Sequence, residues 1–176
     1  MKEKLFRTDT KALVGAVIIG IVFVIMEQVT GRIDGILDPT LLLLNGTTWA
    51  FFTGLIVLMY KQPAGIIAGL VEAITAMATA YSPLAFFFLF ANVIGSIAYS
   101  LISRNFSMEK LSHHFLAQIG CNVTANFCVM IGLIYVFQLD WKIALLSASI
   151  TTLVATIVAG ILTKSVYSAL QKSSLL

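Results

Sequence analysis

Long apolar runs alternate with short polar breaks along this chain, and the breaks hold nearly all of its charge. A helix that crosses a bilayer needs about 20 mostly apolar residues. Six stretches qualify: residues 12–28, 41–60, 63–80, 83–103, 115–137 and 143–164. Gly31, Arg32, Asp34, Gly35, Asp38 and Pro39 crowd together after the first, which predicts a loop over 32–39. Lys61-Gln62-Pro63 and Tyr81-Ser82-Pro83 predict tight turns, because proline suits the first turn of a helix and not its interior. Residues 104–113 are polar, with a modest amphipathic link over 106–113, and residues 138–142 form the last turn.

Composition sharpens this picture. Apolar residues make up 59% of the chain and charged residues only 11%, with a mean hydropathy of +0.98. Soluble domains carry roughly a quarter charged residues, so this chain must use lipid as part of its solvent. Six spans put both termini on one side, and the excess of Lys and Arg on cytoplasmic segments assigns that side. With the N-terminus inside, the inner segments hold Lys2, Lys4, Arg7, Lys11, Lys61, Arg104, Lys110, Lys164 and Lys172, and the outer segments only Arg32 and Lys142. The expected fold is therefore an all-α integral membrane protein, a bundle of six transmembrane helices with both termini cytoplasmic. It forms a single transmembrane domain over residues 1–176. No small-x-small cleavage site follows the first apolar run, so it reads as a span and not as a signal peptide.

Several chemistries are disfavoured. The net charge of +3 is too weak to point to nucleic acid. Cys121 and Cys128 lie seven residues apart in one apolar stretch, too far along a straight helix for a disulfide. No metal-ligand spacing appears, and no cofactor is expected. His113 and His114 near Glu109 sit at a helix entrance where polar residues are ordinary, and no hydrolase motif accompanies them, so no enzymatic activity is expected. The chain has no GxxxxGK[ST] loop, so uphill transport would take its energy from a partner or an ion gradient.

In lipid, helices associate through small residues that let backbones approach. Ala12, Ala16 and Gly20 form such a stripe on the first helix, Gly65, Gly69 and Ala73 on the third, and Ala148, Thr152, Ala155 and Ala159 on the sixth. Internal packing explains any of them, and the first is also a candidate docking surface for another membrane protein.

Polar side chains at membrane depth are costly and hence functional candidates. Glu27 lies at the outer end of the first helix beside Gln28, Glu72 midway along the third, and Asn92 near the middle of the fourth. Gln118, Asn122, Thr124 and Asn126 lie along the fifth, and Asn122 and Asn126, four apart, share a face. Trp49, Tyr81, Tyr135 and Trp141 add aromatic rings on the outer half, where Tyr81 and Trp141 also fit an ordinary interfacial belt. The candidate binding set is therefore Glu27, Trp49, Glu72, Tyr81, Asn92, Asn122, Asn126, Tyr135 and Trp141. Carboxylates without a neighbouring Lys or Arg, together with amides and rings, favour a neutral or cationic planar organic ligand.

These features resemble the S components, the substrate-capture subunits of energy-coupling factor (ECF) vitamin transporters. That family has six membrane helices, cytoplasmic termini and an AxxxA-type stripe on the first helix, matched here by Ala12, Ala16 and Gly20, with glycine in the third place. The resemblance implies a transmembrane T component and two ABC ATPases as partners, a vitamin-like ligand held near the outer side, and a bacterial or archaeal plasma membrane as location. Asn45-Gly46-Thr47-Thr48-Trp49 followed by Lys61-Gln62-Pro63-Ala64-Gly65 is similar to the YkoE type, linked to thiamine and its hydroxymethylpyrimidine precursor, although the turn departs from the simpler Lys-Pro-Gly form. Cobalamin, riboflavin and other vitamins stay open. The competing classes are a small membrane enzyme and a self-sufficient secondary transporter. Against the latter, the halves show no clear repeat and no helix broken by paired Gly and Pro.

Overall fold

The computed structural model describes residues 4–173, which fold into six helices and no strand element. They are α1 (Thr10–Leu37), α2 (Leu43–Tyr60), α3 (Ala64–Thr79), α4 (Ala85–Ser103), α5 (Leu111–Val136) and α6 (Trp141–Lys172). Five of them are long and apolar enough to cross a membrane, the mark of a multi-pass membrane protein. The exception is α3, whose 16 residues give about 24 Å at 1.5 Å per residue, less than the ~30 Å hydrocarbon core. Lys2, one of the basic residues assigned to the inner side, lies outside the described residues.

The expected loop over 32–39 is corrected. Helix α1 continues to Leu37 and carries Gly31 and Asp34 on the same face as Glu27, at i, i+4 and i+7. The reason lies in what those two residues do there. Gly31 leaves room for the Tyr81 ring, since a Cβ on it would lie 2.2 Å from Tyr81 Cε2. The buried Asp34 carboxylate accepts from the backbone N–H of Leu44 at 3.1 Å and of Asn45 at 2.7 Å. It thereby caps α2, whose own N-cap residue Leu42 supplies no side-chain bond. The final helices also exceed expectation. Helix α5 starts at Leu111, inside the predicted polar link, with His114 buried and its Nε2 2.9 Å from the Met108 carbonyl. Helix α6 runs eight residues beyond 164.

Helix α2 is largely enclosed, with Leu44 its one exposed residue, and the other five helices each turn one face into the bundle and leave an apolar face exposed, as lipid allows. Close packing follows the small residues. A Cβ on Gly69 would lie 2.9 Å from Asn92 Cβ, and one on Gly65 2.5 Å from Ser96 Oγ, so the α3 stripe seats α4. In α6, Ala155 and Ala159 are fully buried, and Gly160 lies under the Phe115 ring of α5. At the start of α1 the exposed Asp9 caps the helix through the N–H of Ala12 at 3.0 Å. The Arg7 guanidinium beside it holds the Asp9 carboxyl below the usual carboxylate range.

A buried carboxylate network and its cavity

Helix α1 supplies Glu27, and α2 supplies Asn45 and Trp49, which are four apart and so share a face. Helix α3 supplies Glu72, the α3–α4 turn supplies Tyr81, and α4 supplies Asn92. All six are buried, and five of them form one chain of hydrogen bonds. Asn45 Nδ2 donates to Glu27 Oε2 at 2.5 Å and to the Tyr81 hydroxyl at 3.3 Å. The Tyr81 hydroxyl donates to Glu72 Oε1 at 2.5 Å. Asn92 Nδ2 donates to Glu72 Oε2 at 2.7 Å and to the Gly69 carbonyl at 2.8 Å.

The two carboxylates end up in different states of satisfaction. Both oxygens of Glu72 accept. Glu27 accepts on Oε2 alone, and its Oε1 is buried without a partner. Trp49 Nε1 is likewise a buried donor without a partner. Glu27 and Trp49 line one cavity of about 20 Å³, together with Glu72, Asn92 and Asn126, enough for one water-sized group. Among the described residues, no Lys, Arg or His lines it. The Trp49 ring reaches this position because residue 95 is glycine: a Cβ there would lie 2.5 Å from Trp49 Cη2. The chemistry on offer is thus one spare acceptor oxygen, one spare N–H and an aromatic wall.

The structure brings Glu27, Trp49, Glu72, Tyr81, Asn92 and Asn126 together. Asn122 lies elsewhere: its Nδ2 donates to the Gln118 carbonyl at 2.9 Å and to Gln118 Oε1 at 3.2 Å, while Gln118 Nε2 ties α5 to the Ala50 carbonyl of α2 at 2.9 Å. Tyr135 and Trp141 stand apart, 70% and 58% exposed at the adjoining ends of α5 and α6. Their exposure suits the interfacial belt. The docking stripe on α1 is corrected in part. Ala12 is fully buried and Ala16 nearly so, covered by the chain's own helices, and position 20 faces Ala68 of α3. Ala16, Gly20, Ala64 and Ala68 floor an apolar groove between α1 and α3, so only the groove, and not Ala12, is open to another molecule.

Asn45 and Thr152 are the site residues missing from the predicted set. The spacing of Asn45 from Trp49 was the available signal for the first. Thr152, which accepts from Asn126 Nδ2 at 2.8 Å, was visible only as part of a small-residue stripe. Among the described residues, no cluster of three or more His, Cys, Asp or Glu is placed to hold a metal ion. Comparison with models of known protein families, with curated proteins and with solved structures finds no match.

Proposed function

We propose that this chain is a substrate-capture subunit, the S component of an ECF-type importer, that binds a neutral or cationic vitamin or vitamin precursor on the outer side of the membrane. The best candidates are thiamine and its hydroxymethylpyrimidine precursor. In this reading the chain crosses the cell membrane six times with both termini cytoplasmic, and α3 serves as a short sixth span that the bilayer meets by local thinning. The basic residues support that orientation: Lys4, Arg7, Lys11, Lys61, Arg104, Lys110, Lys164 and Lys172 fall at one end of the helices, Arg32 and Lys142 at the other. A T component and two ATPases supply the energy, and the α1–α3 groove is the surface left for the T component.

The observation that carries the proposal is that Glu27 and Trp49, each with a buried polar atom left without a partner, line one cavity that has no basic residue among its described lining. Burying a carboxylate oxygen and an indole N–H without partners is costly. A ligand that donates to the first and accepts from the second recovers that cost, as the amino group and ring nitrogen of an aminopyrimidine do, whereas a protonated amine recovers the Glu27 part alone and adds a positive charge. A ring-sized ligand also requires the cavity to widen, since binding pockets run to several hundred Å³.

The test is reconstitution. The chain alone, in proteoliposomes, should bind labelled thiamine or hydroxymethylpyrimidine without ATP and transport neither. Uptake should appear only when a T component and both ATPases are present and ATP is hydrolysed. Uphill uptake by the chain alone on a proton or sodium gradient would replace this assignment with that of a secondary transporter.

A further inference from the structure

A groove of about 940 Å³ opens on the membrane-facing side, between α5 and α6 with Ile94 of α4 at its edge. Its walls are apolar, with Ile119, Val123, Phe127, Leu153 and Ile157 prominent. One residue, Asn126, lines both this groove and the Glu27 cavity. Asn126 is only 8% exposed, and its bond to Thr152 Oγ1 joins α5 to α6 at this level. One turn further along α6, Thr156 also lines the groove, and its Oγ1 is buried without a partner. Asn126 is therefore the residue common to a lipid-facing groove and to the cavity that Glu27 lines. On the opposite wall, Asn45, Tyr81 and the two glutamates tie α1, α2, α3 and the α3–α4 turn together by several bonds.

We propose that the Glu27 cavity is reached sideways from the bilayer between α5 and α6, with the Asn126 side chain as the movable partition. The molecule admitted is a membrane-dissolved amphiphile with a primary ammonium head. The head donates to Glu27 Oε1 while the chain lies in the groove. The cavity volume of about 20 Å³ matches an ammonium group, and the absence of basic residues from its lining selects cationic over anionic heads. The groove gives an alkyl chain no hydrophobic gain over lipid. What it supplies is a route that keeps the chain in apolar surroundings while the head turns inward. This inference rests on the Glu27 cavity being a binding site and is independent of the vitamin and of the importer partners.

The experiment uses the Trp141→Phe protein, in which Trp49 is the sole tryptophan, in phosphatidylcholine nanodiscs. Its emission reports dodecylamine, laurate and butylamine, with dodecylamine and laurate expressed as mole fraction in the bilayer. Dodecylamine should give a saturable change, laurate at equal mole fraction none, and Glu27→Gln should weaken the dodecylamine response at least tenfold. Ser149→Phe plugs the groove from an exposed position. It should slow the dodecylamine response at least tenfold and leave butylamine, arriving from water, unchanged. Val123→Trp, read by dodecylamine competition against bound butylamine, serves as a second plug if the first variant fails to fold. Equal responses to laurate and dodecylamine, or plugs that leave the dodecylamine rate unaltered, overturn the lateral route. If butylamine still depends on Glu27 in that case, the binding site stands and only the route falls. If neither amine depends on Glu27, both fall.

Discussion

Two polar clusters are buried at opposite ends of this bundle, and they treat the same problem differently. Near the α2–α3 turn, Gln62 is fully enclosed and fully used. Its Nε2 lies 2.9 Å from Ser96 Oγ, 2.6 Å from Ser100 Oγ and 3.2 Å from the Ser96 carbonyl, and its Oε1 accepts from the N–H of Ile66 at 3.1 Å. Its backbone pairs with the segment before α1, through Leu5 and Arg7. Near the α1–α2 connection, the Glu27 cluster leaves one acceptor and one donor unspent around a cavity. Buried polar groups that are all paired specify and rigidify a structure, whereas unpaired ones carry a standing cost that a ligand can relieve. The difference separates a lock from a site, although both read alike as polar residues in an apolar chain.

If Gln62 is a lock, an isosteric change there should damage stability most. Gln62→Glu keeps the acceptor for Ile66 but sets a carboxylate oxygen against the Ser96 carbonyl. It should destabilise the protein by about 3 kcal/mol, seen as a loss of about 6–12 °C in Tm for a chain of this size. Ligand affinity in the surviving folded fraction should stay within about twofold, because a lock contacts no ligand; a larger change would merge the two clusters into one functional unit. Next in size is Gly31→Ala. Its Cβ would meet the Tyr81 ring at 2.2 Å and 2.5 Å, so the ring must shift and its bond to Glu72 must lengthen. Overpacking of this kind costs about 1–3 kcal/mol, and here affinity should fall along with stability, as thermal scans and ligand titrations on one sample would reveal. Asp34→Ala follows, at about 1 kcal/mol. It removes the side-chain acceptor from the first N–H groups of α2 while leaving every member of the Glu27 cluster in place.

The helical architecture was legible because lipid imposes it: apolar runs of span length and proline at the turn positions are bulk signals that no tertiary detail overrides. Where the sequence misled, a tertiary contact outweighed local propensity. Gly31, Asp34 and Gly35 look like a loop, yet α1 runs through them because Gly31 admits Tyr81 and Asp34 caps a different helix. Gln62 looked like a turn residue because its partners Ser96 and Ser100 lie more than thirty positions away. Within the site, Glu27, Glu72, Tyr81, Asn92, Trp49 and Asn126 were legible from the cost of polarity at membrane depth. Tyr135 and Trp141 were drawn in by the same rule, although rings at helix ends need no pocket. Which groups would be left unpaired was invisible, since that depends on angles and distances across five helices.

The smallest expected effect on stability is also the sharpest test of the comparison. Glu27→Gln preserves shape and keeps an oxygen for Asn45 Nδ2, so the hydrogen-bond chain to Glu72 survives. It replaces the unpartnered Oε1 with an amide nitrogen and leaves position 27 unable to ionise. The change in folding stability should therefore lie within about 0.5 kcal/mol of zero, with a gain more natural than a loss. Affinity for a cationic ligand should nonetheless drop at least tenfold, about 1.4 kcal/mol, because the charge-assisted bond to the head is gone. The Glu/Gln exchange then acts in opposite senses at the two clusters: at position 62 it costs stability and spares binding, and at position 27 it spares stability and costs binding. If Glu27→Gln instead lowers Tm by as much as Gln62→Glu while affinity holds, Glu27 is a second lock and the cavity beside it is a packing defect.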